Sequence, residues 1–485
     1  MKIVLLPLDE RPCNYNYPKH LSLNKEISLV LPPSELLSKK KKVCNLDVLH
    51  KWLVNECKDA DYALLSLDTL IYGGIVPSRL HHDDLSSLIQ RSETIRIIKE
   101  NNPHIKIFVN ELIMRTPCYS NSTEEPDYFD ECGRELWEYG VLLDKKLRGI
   151  ISEEEKVKME QLFNCIPHQY LDDLMKRREI NKSATINNVN YLLNGIIDYF
   201  IIPQDDCAPY GFTSIDRNKI NEYLIEHHLE NKVIMYPGAD EAGLVLISKA
   251  LNDYYHKIPK IYVKYVDDNA KDVIPDFEDR HLDKSISEHI YISGMQRIDS
   301  IDSANMVLVV NVYKEDHFAD VMSLIKEEKI KGKIVGIADV LLCNHGDLVL
   351  FKNLDSSNLL KEIDAYAGWN TSSNTIGTTL SNMVSYYYSH DDTQKKYSLL
   401  ARYLEDVFYM GLIRNELNGV IKTKKGNVSI ENISPIEEEL SHFAEERLSS
   451  YINNFEFKSL YDYDHLTITF PWHRTFEINL SIYKK

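Results

Sequence analysis

The stretch Tyr199-Phe200-Ile201-Ile202-Pro203-Gln204-Asp205-Asp206-Cys207-Ala208-Pro209-Tyr210-Gly211 decides the fold reading. A short apolar run reads as a buried strand, and it ends in two adjacent carboxylates followed by turn residues. An ionised acid at the end of a buried strand needs compensation, so a pair of them points to a use. The same design recurs in both directions along the chain. Residues 3–8 run into Asp9-Glu10-Arg11, 62–67 into Asp68, and 105–109 into Asn110-Glu111. Residues 233–235 run into Gly238-Ala239-Asp240-Glu241, 307–310 into Asn311, and 334–337 into Asp339. Acids and amides therefore gather at the carboxyl ends of successive strands, where parallel α/β folds place their sites.

Between these strands lie amphipathic stretches that read as helices, at about 46–58, 84–101, 215–228, 241–253, 285–291, 317–328 and 374–389. Strand and helix alternate, the pattern of a parallel sheet. With a further strand at 260–266 and a closing one at 364–367, the count of eight or nine predicts a (β/α)8 TIM-like barrel. A stretch rich in Glu, Lys and Leu, about 126–198, reads as a helical insertion forming a lid or side domain. The expected domains are a catalytic one over 1–380 and a helical extension over 381–485. The extension reads as helix at 399–415 and 436–455. It closes in alternating residues at 466–470 and 476–480, a hairpin about Pro471-Trp472-His473-Arg474.

The chain has 485 residues, 44% of them hydrophobic, enough for a large core. A formal net charge of -18 argues against a nucleic-acid groove and for an acid-rich pocket. The one basic run, residues 39–42, reads as a solvated loop or helix end. The eight cysteines form no CxxC pair and no disulfide framework. No secretory segment and no run long enough to span a bilayer is evident, so a reducing, cytoplasmic setting is expected, without a membrane partner. The composition leaves a homo-oligomer open.

Asp205-Asp206 is the leading catalytic candidate. Two acids at one strand end can divide labour, one ionised and the other pushed towards its neutral form. That suits glycoside cleavage, where a raised-pKa acid protonates the leaving oxygen. Neighbours in sequence cannot easily flank a sugar on both faces, so substrate assistance by a 2-acetamido group is the expected route. The bland alternative is a helix cap, or an ion pair with Arg217. Asp240 and Glu241 read either as sugar contacts or as caps of the helix that follows. Trp369, Asn370 and Asn374, in Ala367-Gly368-Trp369-Asn370-Thr371-Ser372-Ser373-Asn374, mix an aromatic wall with amides, or else cap a helix over a core Trp. Asp9, Glu10, Arg11, Asp68, Glu111 and Tyr210 complete the expected substrate contacts. Arg11 or Arg79 could neutralise Asp9, Glu10 or Asp68. Asp339, Asn344, His345 and Asp347 read as a solvated loop before a metal site, and Cys207 lacks a His partner for nucleophilic work. No Walker loop, dinucleotide fingerprint or HExxH is present, so neither cofactor nor metal is expected.

Five segments together resemble the bacterial family known as domain of unknown function 4127. They are Pro7-Leu8-Asp9-Glu10-Arg11-Pro12, Ser66-Leu67-Asp68 with Tyr72-Gly73-Gly74, Gln204-Asp205-Asp206 with Tyr210-Gly211, Pro237-Gly238-Ala239-Asp240-Glu241, and Tyr366-Ala367-Gly368-Trp369-Asn370-Thr371 with Asn374. The family label implies no activity. The acid pair closing the fourth strand is also similar to that of the hyaluronidase-like O-GlcNAcases. That resemblance implies that Asp205 orients the acetamido group and Asp206 is acid/base. The expectation is a retaining N-acetylhexosaminidase acting on a small carbohydrate. The alternatives are a metal-dependent hydrolase or isomerase, using Asp9, Asp68, Glu111, Asp205, Asp240 or Asp339 as ligands, and a non-catalytic sugar-binding protein.

Overall fold

The computed structural model describes residues 1–312, 318–424, 428–455 and 461–484, the side chains of 453 and 454 excepted. Each apolar run read as a strand forms one. The strands are β1 Lys2–Leu6, β2 Ser28–Val30, β3 Tyr62–Ser66, β4 Lys106–Asn110, β5 Tyr199–Gln204, β6 Val233–Pro237 and β7 Lys260–Tyr265. They continue as β8 Gln296–Arg297, β9 Met306–Asn311, β10 Ile334–Asp339, β11 Ala365–Ala367, β12 Tyr463–Thr469 and β13 Asn479–Lys484. Sequence patterning misses β2 and β8, which are too short to show a period and lie at the ends of their sheets.

The strands pair in parallel as two sheets, ordered β2-β1-β3-β4-β5-β6 and β11-β10-β9-β7-β8. The fold is thus α/β with parallel sheets. This pairing does not show a closed eight-stranded barrel, because β6 and β7, expected as consecutive staves, belong to different sheets. Burial on both faces explains why β3 and β9 read as continuous apolar runs without alternation.

The chain forms two compact units. The first comprises Met1–Glu10, Ile27–Leu246 and Phe277–Arg280. The second comprises Arg11–Glu26, Ile247–Asp276 and His281–Lys485. In the first unit, the expected insertion is the helices Phe129–Leu147, Glu153–Cys165 and His168–Leu193. The middle one starts in a capping box, Ser152 with Glu155, which fixes its start in the sequence. Leu136, Leu171 and Leu174 pack with Phe129 and Phe212 into a satellite core.

In the second unit the C-terminal helices share one core with the sheet. Val307, Val335 and Ile337 pack in the same cluster as Phe408, Leu440, Leu448, Phe470 and Leu480. The expected boundary at 380/381 falls inside the helix Ser372–Ser389. A wider, π-type helix, Tyr403–Ile413, joins the helices Asp392–Arg402 and Arg414–Thr423. The antiparallel hairpin β12–β13 forms as expected, with its second strand beginning three residues later than the alternation indicates. Of the helix expected at 317–328, residue 317 lies outside the described residues, and the rest forms Phe318–Ile330. Among the described residues no helix is long and apolar enough to cross a membrane.

Candidate functional site

The first sheet gathers the acids. Its strands run parallel, so the residues that follow them lie beyond one edge: Asp9 after β1, Asp68 after β3, Glu111 after β4, Asp205 after β5 and Asp240 after β6. The chain adds β2 on one side of β1 and β3 on the other. Asp9 and Asp68 flank this switch in direction, the place where parallel sheets bind ligands. The Thr69 hydroxyl ties the two strand ends together through the carbonyls of Pro7 and Leu8, each at 2.7 Å.

Two glycines set up the first cation. Gly73 ends the helix Leu67–Tyr72 at φ 98°, and Gly74 at φ 142° and ψ -178° begins Ile75–Leu80. Such angles are essentially glycine territory, and a Cβ on Gly74 would lie 3.3 Å from the Leu8 carbonyl oxygen. The turn aims Arg79 inward. Its Nη2 donates to Asp205 Oδ2 at 2.6 Å, and its Nη1 to Glu124 at 3.1 Å and Glu125 at 3.2 Å. Arg115, five residues beyond β4, donates from Nη1 to Asp206 Oδ2 at 2.7 Å, from Nε to Glu125 at 2.9 Å and from Nη2 to Glu124 at 3.2 Å. Four carboxylates thus share two guanidinium groups.

The acid pair is divided by this network. Asp205 is buried on Arg79, while the Asp206 side chain on Arg115 keeps 29% exposure. Each is held through Oδ2, and neither Oδ1 has a hydrogen-bond partner among the described residues. Asp206 also takes a left-handed backbone, φ 21°, unusual for a residue with a Cβ. Desolvation raises its pKa; Arg115 opposes the shift and the Asp205 charge adds to it. The helix Phe212–Glu226 is capped by Gly211, so neither acid caps it, and Arg217 pairs with Asp279.

Asp68 and Glu111 are buried without a cation. Asp68 Oδ2 accepts the Leu112 N–H at 2.9 Å, and Glu111 accepts from Thr185 at 3.1 Å and Asn188 at 2.9 Å. Neither acid has a Lys, Arg or His nitrogen within 4.0 Å among the described residues. Burial pushes Asp68 up to about 7, with the Asp205 charge adding to the shift. Burial likewise lifts Glu111 to about 8, against its two hydrogen bonds and with help from the Asp68 charge.

The remaining expected contacts have other surroundings. Asp9 is buried at its strand end, and Glu10 accepts the Lys40 N–H at 2.8 Å. Tyr210 lies under Lys145 and Arg148, at 5.6 and 5.0 Å from its ring, on the side of Phe129–Leu147. Asp240 is buried, and Glu241 folds back to accept the Ala239 N–H at 3.0 Å. Gly238 takes φ 130°, a conformation that residues with a Cβ rarely adopt, and a Cβ there would displace the Glu241 carboxylate. Burial holds the Cys207 thiol far above its usual pKa, which works against a nucleophilic thiolate.

Arg11, Trp369, Asn370 and Asn374 belong to the second unit. Arg11 lies over the Trp472 ring at 4.8 Å. Trp369 is 7% exposed, gives its indole N–H to Thr378 and meets Tyr17 edge-on. Asn370 turns the chain at φ 55°, accepting the Asn344 N–H, and Asn374 donates to Thr371. Asp339 is buried and accepts from Asn311, Tyr366 and the Asp347 N–H. Of the loop expected to be solvated, Asp339 and Asp347 are buried in this hydrogen-bond network, while Asn344 and His345 are half-buried. Among the described residues no three His, Cys, Asp or Glu side chains form a group suited to a metal ion.

Sequence reading missed Arg115, Glu124, Glu125, Thr185 and Asn188. Glu124-Glu125 sits in a polar stretch that resembles a solvated loop. Thr185 and Asn188 carried a signal, polar residues three apart on the inward face of the long helix His168–Leu193. Against known proteins, a family described as "Protein of unknown function (DUF4127)" matches over residues 3–481. No curated protein and no solved structure matches, and the hyaluronidase-like resemblance is not shown.

Proposed function

We propose that this chain, which belongs to the DUF4127 family, is a glycoside hydrolase acting on a small carbohydrate through Asp205 and Asp206. The observation behind the reading is the division of the pair: each acid is tied by one oxygen to a different arginine and has the other without a partner. An excess of carboxylates over guanidinium groups suits a reaction in which the sugar ring gains positive charge. The proposal needs only parallel strands ending on one edge, and not a closed barrel.

In the finer form of the proposal, the enzyme is a retaining N-acetylhexosaminidase. Asp206, partly exposed and with a raised pKa, gives its proton to the leaving oxygen as the glycosidic bond breaks. The substrate's acetamido oxygen bonds to the anomeric carbon, and Asp205 Oδ1 accepts the amide N–H. Asp206, now ionised, takes a proton from the water that opens the cyclic intermediate. Adjacent acids leave the opposite sugar face without a protein nucleophile, which is why the substrate supplies it.

A panel of nitrophenyl glycosides tests the proposal. Cleavage of N-acetyl glycosides, with tight inhibition by a thiazoline mimic of the cyclised intermediate, is expected. Equal cleavage of plain glucosides, untouched by the thiazoline, would remove substrate assistance and leave a direct nucleophile such as Asp240 or Glu241. Binding of sugars with no turnover of any would favour a sugar-binding protein.

A further inference from the structure

Asp205 and Asp206 each have an arginine of their own, and the two guanidinium groups that serve them repel each other. We infer that Glu125 is the positioning residue that holds Arg79 and Arg115 together, so that each grips one acid of the pair. This role rests on the glycosidase proposal for the reaction it serves. A single oxygen makes the bridge: Glu125 Oε1 accepts from Arg79 Nη1 at 3.2 Å and from Arg115 Nε at 2.9 Å. Glu124 Oε2 makes a second bridge, accepting from Arg79 Nη1 at 3.1 Å and Arg115 Nη2 at 3.2 Å. The Glu125 side chain is 4% exposed and that of Glu124 16%, so Glu125 is the less screened of the two. Burial and the Arg115 charge both disfavour the Arg79 cation, and Asp205, Glu125 and Glu124 together restore it. Two cations on one carboxylate oxygen are tolerated only while that carboxylate stays between them.

The loop after β4 fixes Glu125 independently of the arginines. The Glu125 N–H donates to the Ser122 carbonyl at 3.2 Å. Ser122 in turn gives its N–H and its hydroxyl to Asp130, at 2.7 and 2.8 Å, in the first turn of Phe129–Leu147. Ser120 Oγ accepts the Arg134 N–H of the same helix at 3.1 Å. Gly133 brings the helix against this loop, where a Cβ would stand 2.8 Å from the Tyr119 carbonyl oxygen. The Arg115 backbone has its own anchor, its carbonyl accepting from Arg178 Nη1 at 3.0 Å. Loss of Glu125 therefore frees the Arg115 side chain and leaves its main chain in place.

Position and charge predict opposite signs. If Glu125 keeps Arg115 on Asp206, its removal weakens the cation's hold and Asp206 binds its proton more tightly. If Glu125 acts only as a negative charge, its removal makes Asp206 more acidic. Beyond desolvation, the charges acting on Asp206 are those of Arg115, Asp205 and Arg79, with Tyr119 and Cys207 within its field. Carboxyl NMR titration of the full chain with isotope-labelled aspartate reads the Asp206 midpoint without any substrate, and Asp206→Asn assigns the signal. Glu125→Ala should raise that midpoint by about half a pH unit or more, and should add nothing in an Arg115→Gln background. Glu125→Gln keeps an accepting oxygen and should leave the midpoint at or below the wild-type value. Glu125→Asp keeps the charge but draws the oxygen away from both arginines, so it should raise the midpoint too, and it carries the test if Glu125→Ala fails to fold. A midpoint that falls or stays in the Ala and Asp variants, or rises equally without Arg115, would overturn the positioning role. Because the titration needs no turnover, a chain that follows these expectations and cleaves no glycoside would keep this role and remove only the glycosidase proposal.

Discussion

Asp205 and Asp206 carry the same side chain one peptide apart, and their surroundings make them different acids. Asp205 is enclosed and salt-bridged to Arg79, while Asp206 keeps an exposed edge and is drawn upward by desolvation. If Asp206 is the proton donor, Asp206→Asn should cut turnover of substrates with poor leaving groups by about 100-fold or more, with binding retained. Direct binding and steady-state rates on the same variant would separate the two effects. Arg115 lowers the Asp206 pKa against that desolvation. Arg115→Gln removes a positive charge that favours the ionised form, so the falling limb of kcat/KM should move to higher pH by about one unit. A limb that stays in place would detach it from Asp206.

At the scale of elements, the turn Tyr72-Gly73-Gly74 joins strand to site. It ends one short helix, starts the next and thereby aims Arg79 at Asp205. Gly74→Ala should cost about 1–3 kcal/mol for backbone strain alone and loosen the Arg79 contacts. Denaturant midpoints would report the first effect and turnover the second. The strand ends at Asp68 and Glu111 also make a pH prediction. Both acids hold their protons in the folded state to about 7 and about 8, whereas the unfolded chain releases them near the ordinary carboxylate range. The folded state therefore binds more protons between those limits, so this pair's contribution to stability falls as pH rises through that window. Glu111→Gln should flatten the decline in Tm from pH 5 to pH 8 relative to the wild type.

At the scale of the whole molecule, the two units carry different parts of what the sequence suggested as one site. The first holds the acids and their arginines, and the second holds Arg11 and the Trp369 segment. The second unit's core draws on residues from Val266, just after β7, to Ile482 in β13. Its C-terminal hairpin is thus a structural part of that unit. Phe470→Ala, at the end of the first hairpin strand, should cost about 3–5 kcal/mol, the range for emptying a buried aromatic site. A loss below about 1 kcal/mol in chemical unfolding would show that the hairpin is peripheral to the core.

The amino-acid sequence by itself determined most of the strands and helices and the edge at which the acids gather. These depend on local patterns: an apolar run buried on both faces, a turn, a polar residue just beyond it. Asp84, Asn45 and Ser152 cap their helices with side chains whose preference is local, so those starts were legible too. How the strands pair was not legible, because parallel neighbours are chosen by packing across long separations. Nine runs counted in order suggest one barrel, while the pairing makes two sheets. Only the tertiary structure showed that Arg79 crosses 126 residues to Asp205, and that Arg115 takes Asp206. It also chose between the two readings of Trp369, burying it in the core with its indole N–H on Thr378. Charge partners are fixed by distance in space, and sequence spacing carries that information only within a turn or a helix.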